Sequence, residues 1–370
     1  MIMDSNIPLM IPNLLEEDIE AVTDVLRSGM LVQGLKVEQL EKEIAEYLNV
    51  DFAIAVSNGT ASLHMSLVAL GVGEGDEIII PALSYIATAN VVELVGAKPV
   101  FVDIDLKTFN IDVTKIEAAI TDKTKAIMPV HEFGLVADIN EIIEIASSHN
   151  LFVIEDAACA LGATDNMKFA GSFGTVGSFS FHPRKAITSG EGGVIVTNDA
   201  SLAAKLRSLR NHGIEIQNGE MEFVLPGFNY RMTDFQAALL SNQFKRFDGI
   251  LSYKKELAEV YNQNINNPKI VIPSIPKGKK HSWQTYHIVL DDSVNRNEAM
   301  ELLRKNNVGT NYGAQCMPNE QFYKRKYNLD CKTLFPNAMT AHKQGLAIPL
   351  YEKLSKEQIA YISKILNKID

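Results

Sequence analysis

Between residues 52 and 200 the chain alternates short, uninterrupted apolar runs with longer segments of helical periodicity, a pattern that few folds accept. Phe52-Ala53-Ile54-Ala55-Val56, Glu77-Ile78-Ile79-Ile80-Pro81, Pro99-Val100-Phe101-Val102-Asp103, Lys125 to Val130 and Leu151 to Ile154 read as strands. Residues 61–70 and 84–95 read as helices between them. A strand without polar alternation is buried on both faces, and strands joined through helices run parallel. The expected fold class is therefore α/β. Val176 to Phe181 and Gly193 to Thr197 have no full helix between them, so they are expected to pair through the intervening loop and make the sheet mixed.

A chain of 370 residues exceeds the usual size of one core, so two domains are expected. We read an N-terminal segment over 1–30, a large domain over 31–248 and a smaller α+β C-terminal domain over 249–370. Helices are expected over 233–247 and 251–264, followed by a proline- and lysine-rich stretch, 266–280, expected as an exposed loop. A strand at Thr285–Leu290 and helices over 297–305 and 356–368 complete the smaller unit. The formal net charge of -10 argues against nucleic acid or an anionic membrane as partner. It leaves room for a local basic pocket that takes a phosphorylated small molecule. No apolar stretch approaches the roughly 20 residues that span a bilayer, and Met1 to Asn6 lack the basic-then-apolar order of a signal peptide. Cys159, Cys316 and Cys331 are widely spaced, form no metal-ligand pattern and fit a reducing cytoplasm.

Two residues carry the chemistry. Asp156 ends the apolar run that starts at Leu151, and Lys185 follows 29 residues later (185 minus 156), in Ser180-Phe181-His182-Pro183-Arg184-Lys185. A carboxylate leaving one buried strand and a lysine leaving another can converge on one heteroaromatic cofactor. Pyridoxal phosphate needs that pair: an amine to condense with its aldehyde, and an anion to hold its ring nitrogen protonated. Each residue alone has an ordinary reading, Asp156 as a helix cap or surface ion pair and Lys185 as a solvated cation. Ser57-Asn58-Gly59-Thr60 joins a strand to a helix, whose first N–H groups can hold a phosphate; an N-cap with a turn glycine explains it equally well. Gly190-Glu191-Gly192-Gly193 reads either as part of the site or as a turn before a strand. Tyr85, just past a strand end, offers a ring to stack on a cofactor or to pack in the core. Gly227-Phe228-Asn229-Tyr230-Arg231-Met232 supplies amide and guanidinium donors, or is a structural loop.

Together these segments resemble the DegT/DnrJ/EryC1/StrS sugar aminotransferases, a branch of the fold-type I pyridoxal-phosphate enzymes. The motifs that carry the resemblance are Asn58-Gly59-Thr60, Glu155-Asp156-Ala157-Ala158, Ser180-Phe181-His182 with Lys185, Gly190-Glu191-Gly192-Gly193, and Gly227 with Asn229, Arg231 and Met232. It implies a large domain with a mostly parallel seven-stranded sheet and a homodimer with shared active sites. It further implies that Lys185 binds the cofactor covalently and moves a proton, that Asp156 pairs with the ring nitrogen and that Tyr85 stacks on the ring. Gly59, Thr60 and Ser180 would hold the phosphate, joined by Asn229 from the partner subunit. The implied donor is L-glutamate and the implied acceptor a nucleotide-linked keto-deoxy sugar, with C4 slightly preferred over C3, for polysaccharide or glycoconjugate biosynthesis. The alternatives are a nucleotide-sugar dehydratase, or another fold-type I reaction, and a non-catalytic cofactor-binding regulator. Members that become 3-dehydratases carry histidine in place of the lysine kept here. Cys159 stands where many members carry glutamine or histidine, and Thr310 to Pro318 departs from the family's commoner histidine-containing pattern.

Overall fold

The computed structural model describes residues 6–370. The reading of the extreme N-terminus lies outside the described residues, except at Asn6. Seven strands make the central sheet: β1 (Phe52–Val56), β2 (Glu77–Pro81), β3 (Lys98–Val102), β4 (Thr124–Ile127), β5 (Phe152–Asp156), β6 (Val176–Ser180) and β7 (Gly193–Thr197). Their order across the sheet is β1-β7-β6-β5-β4-β2-β3. All neighbours from β6 to β3 are parallel, and β7 pairs antiparallel on both sides. The expected α/β class and the expected mixed pairing of β6 with β7 are both borne out.

The register follows from the sequence. In β1, Ile54 and Val56 enter one buried apolar cluster, whereas Ala53 and Ala55 enter another on the opposite face. Side chains alternate across a strand, so an uninterrupted apolar run supplies two layers at once. Helix Gly59–Ala69 packs on the first face with its small residues Ala61, Ser62 and Ser66 buried. On the other face lie helices Leu35–Leu48 and Ile139–Ser148.

Helices Asp234–Phe244 and Phe247–Asn264 lead to a second core. It centres on an antiparallel three-stranded sheet in which Tyr286–Leu290 is flanked by Ile270–Val271 and Gly345–Ile348. Helices Arg296–Lys305 and Lys356–Leu366 cover it. Ile7, fully buried, enters this same core through a parallel bridge to Val308. The chain also returns to the large sheet: Ala314, Cys316, Met317, Phe335 and Ala338 pack in the first cluster, and Gln315–Cys316 pair antiparallel with Leu83–Ser84.

The 266–280 stretch is largely exposed, as expected, but the Lys279 side chain departs from the solvated cation such a loop suggests. Lys279 Nζ donates to Asp138 Oδ1 at 2.7 Å and to the Val136 carbonyl at 2.9 Å, and Lys279–Lys280 pair with Thr164–Asp165. Three acceptors converge on one ammonium group, counting the Ala137 carbonyl, and that compensates its removal from water.

Candidate active site

Six of the seven central strands run the same way, so their carboxyl ends share one edge of the sheet. This is the edge where open α/β sheets hold ligands. Gly59, Tyr85, Glu132, Asp156 and Ser180 all lie at or just beyond it, with Lys185 in the loop after β6.

Asp156 is 4% exposed. Its Oδ2 accepts from Thr88 Oγ1 at 2.8 Å and its Oδ1 from the Ala158 N–H at 3.2 Å. Burial raises its acid, opposed by those two hydrogen bonds and by the charge of Lys185. The neighbouring Glu155, fully buried, serves the scaffold: it accepts from the backbone N–H groups of Gly171, Phe173 and Gly174 at 2.6–2.7 Å. His131 Nε2 lies 2.8 Å from Glu155 Oε2. Since His131 Nδ1 accepts from the Ala137 N–H, Nε2 carries the proton that bonds Glu155.

Lys185 sits on a loop clamped to helix Asp234–Phe244. Gln243 accepts from the Thr188 N–H at 3.1 Å and donates back to the Thr188 carbonyl at 2.7 Å. Lys185 Nζ points inward and donates to Cys159 Sγ at 3.1 Å. Burial pushes the Cys159 thiol up, partly offset by Lys185. The thiol is therefore a neutral partner for the lysine rather than a thiolate.

Helix Gly59–Ala69 is capped by Asn58, whose side chain accepts from the Ala61 N–H at 2.8 Å. The Gly59 and Thr60 N–H groups are left at the open, electropositive end of the helix. The cap and the anion-binding reading are thus compatible: one side chain serves the third N–H and two remain. A Cβ on Gly59 would stand 2.7 Å from Ser180 Cβ and 3.1 Å from its Oγ, so only glycine lets this helix end meet β6. Gly193 makes the same approach possible from β7, where a Cβ would stand 2.5 Å from the Asn58 carbonyl oxygen. Tyr85 is 67% exposed, its ring free to receive a planar group.

These residues fit pyridoxal phosphate. The cradle that a Cβ would fill suits a phosphate, Asp156 is a buried carboxylate held by donors, and Lys185 is an inward amine. Asn229 is exposed on its own chain, beyond the Tyr230 carbonyl that accepts from the Ser57 N–H.

Sequence reading did not single out three residues that the fold brings to this edge or behind it. Thr88 holds Asp156 from the helix after β2, and Glu132 is a carboxyl in the electrostatic field of both Asp156 and Lys185. Lys254 is 1% exposed in helix Phe247–Asn264, within the field of Lys185 and Cys159. An apolar period places a side chain inward, but it does not say which distant residue it will meet.

The model of the DegT/DnrJ/EryC1/StrS aminotransferase family matches residues 12–367. GDP-perosamine synthase of Escherichia coli O157:H7 is 37% identical, with 98% of this chain and 98% of that protein covered. GDP-perosamine synthase of Caulobacter vibrioides is 46% identical over 70% of this chain and 71% of its own length. Among solved structures, Helicobacter pylori PseC, an aminotransferase involved in the biosynthesis of pseudoaminic acid, superposes with a TM-score of 0.93 at 28% identity, covering 98% of this chain and 99% of its own. A putative sugar aminotransferase, Spr1654 from Streptococcus pneumoniae in its PLP form, gives 0.92 at 29% identity, covering 98% of each chain.

Proposed function

The chain belongs to the DegT/DnrJ/EryC1/StrS aminotransferase family, and from that premise we propose that it moves the amino group of L-glutamate to a nucleotide-linked keto-deoxy sugar, with C4 slightly preferred over C3. It is a pyridoxal-phosphate-dependent sugar aminotransferase, as its relatives are. The two GDP-perosamine synthases support a nucleotide-bound sugar as acceptor. The observation that carries the site assignment is the gathering of Asp156, Lys185 and the Gly59–Ser180 cradle at one sheet edge.

When bound, pyridoxal phosphate supplies a carbonyl carbon that accepts an amine and a ring that withdraws electrons. The Gly59 and Thr60 N–H groups and the Ser180 hydroxyl bind the phosphate in this reading. Tyr85 covers one ring face. Asp156 holds a proton on the ring nitrogen, and Thr88 with the Ala158 N–H keeps its two oxygens oriented. Lys185 Nζ would hold the group through its carbonyl carbon, and its free amine would serve as the base that moves a proton at the donor carbon. Asn229 would hold the phosphate of the partner subunit, and each site would then be shared in a homodimer.

The direct test incubates the purified protein with glutamate and a panel of nucleotide-linked keto-sugars and reads products by mass spectrometry. A product carrying one new amine, with 2-oxoglutarate formed in equal amount, supports the reading. Loss of water without amine incorporation would replace it with the dehydratase.

A further inference from the structure

Glu132 lies outside the functions assigned above, yet two hydroxyl side chains, Ser84 and Thr88, connect it to Asp156. It is 5% exposed. The turn that carries it is fixed: its N–H donates to Asn110 Oδ1 at 2.8 Å, Asn110 Nδ2 donates to the Leu135 carbonyl at 3.1 Å, and Phe133 is left-handed at φ 54°. The Phe133 ring stacks on His287 at 4.1 Å, which holds the turn from the other side. The Glu132 carboxyl interacts with the Ser84 hydroxyl, and its Oε2 has no hydrogen-bonding partner among the described residues. Ser84 Oγ lies 3.1 Å from Thr88 Oγ1, which lies 2.8 Å from Asp156 Oδ2.

We propose that Glu132 is a positioning residue that holds a proton at the far end of a Glu132–Ser84–Thr88–Asp156 relay and so keeps Asp156 as the carboxylate of the pair. This rests on the reading of Asp156 as the partner of the ring nitrogen.

The direction of the relay follows from counting protons. Each hydroxyl has one. Thr88 spends its proton on Asp156, so the Ser84 proton must fill the Ser84–Thr88 gap. Ser84 oxygen is then an acceptor, and Glu132 satisfies it only as an acid. If Glu132 ionises, the Ser84 proton turns toward it, and two oxygens 3.1 Å apart are left with no proton between them. Burial, with the charge of Asp156 added, pushes the Glu132 acid up to about 8, against the pull of Lys185 and of the Ser84 hydroxyl and Phe133 N–H, which bond the ionised form. The groups around it are Asp156, Lys185 and Cys159 at the site, the His131–Glu155 pair beside it, and Lys107, His281 and His287 around the adjoining cavity. Burial pushes the two cavity histidines down to about 3, so neither supplies a proton at neutral pH.

The test begins with cofactor-free protein, by infrared difference spectroscopy of wild type against Glu132→Gln between pH 6 and pH 10. The expected result is a carboxylic-acid C=O stretch in the wild type at pH 6, lost through about pH 8 and absent from the variant. With pyridoxal phosphate bound, the pH titration of the visible absorbance should show a step near pH 8 that Glu132→Gln removes. No acid stretch attributable to Glu132, or superimposable titrations of the two proteins, overturns the proposal; a residue that only supports packing would change stability and leave both readouts in place. Should the glutamine variant not fold, Ser84→Ala removes the acceptor and must shift the frequency of the same stretch, and an unshifted stretch also overturns the relay. The cofactor-free measurement does not depend on the role of Asp156. Normal turnover by Asp156→Asn would remove that role while leaving the relay intact.

Discussion

Replacing Lys254 with methionine should stabilise the protein, and by an amount that depends on pH in a calculable way. The side chain is 1% exposed, its Nζ has no hydrogen-bonding partner among the described residues, and burial pushes the amine from its ordinary 10.5 down to about 7. The nearby Lys185 charge adds to that lowering. The folded state therefore resists protonation that the unfolded chain accepts. Below pH 7 both states carry the proton and the full penalty applies. The fall from 10.5 to about 7, at about 1.4 kcal/mol per tenfold change in proton affinity, sets that penalty at about 5 kcal/mol. Between pH 7 and 10.5 the unfolded chain holds more protons than the folded one, so stability rises with pH and the penalty is lost as pH approaches 10.5. At pH 9 about 2 kcal/mol of it is left. Methionine keeps a long unbranched stem and has no ammonium to desolvate. Urea denaturation of cofactor-free wild type and Lys254→Met at pH 6 and pH 9, at one protein concentration, measures the difference. The variant should lead at pH 6 by several kcal/mol and at pH 9 by roughly half as much. An equal difference at both pH values, or a variant less stable at pH 6, would show that the amine is paired or hydrated and refute the reasoning.

Lys185→Ala should abolish turnover and the borohydride-reducible visible absorbance of the holoenzyme, and Lys185→Arg should fail as well, since a guanidinium stays protonated; a reducible alanine variant would place the covalent link elsewhere. Asp156→Asn should slow turnover by orders of magnitude while part of the cofactor binding persists, because an amide does not stabilise a protonated ring nitrogen; a kcat near wild type counts against the assignment. Mixing Lys185→Ala with Asn229→Asp subunits, each impaired alone, should recover activity through one intact site per heterodimer. Silence despite proven subunit exchange would confine Asn229 to its own chain.

Much of the fold could be read directly because its strands are buried on both faces. An uninterrupted run such as Ile78-Ile79-Ile80 has few other uses, and the observed β2 spans the residues expected of it. The exposed hairpin of Ile214–Gln217 with Glu220–Phe223 left no comparable trace, since its residues face no core of their own chain. Gln315–Cys316 could not be matched to Leu83–Ser84 from sequence, because two-residue strands carry no period. At the site, Asp156 and Lys185 stood out by chemical type and by the elements before them. Glu132 and Lys254 did not: a carboxylate and a lysine are ordinarily solvated, and only the left-handed turn at Phe133 and the inward face of a long helix bury these two. Lys279 misled for the same reason.

The place of β1 in the sheet has a consequence in time. Its neighbour in the seven-stranded sheet is β7, and Phe52 is registered against Thr197, 145 residues downstream (197 minus 52). On a ribosome adding about 5–20 residues per second, β1 waits about 7–30 s for its partner to be made. During that interval Phe52-Ala53-Ile54-Ala55-Val56 is an unpaired, apolar, β-prone segment of a nascent chain. The proposed phosphate cradle is bound to the same schedule, because Gly59, Ser180 and Gly193 meet only when β7 closes the edge. A ligand that needs the cradle would therefore find no site on the growing chain until its last central strand is in place.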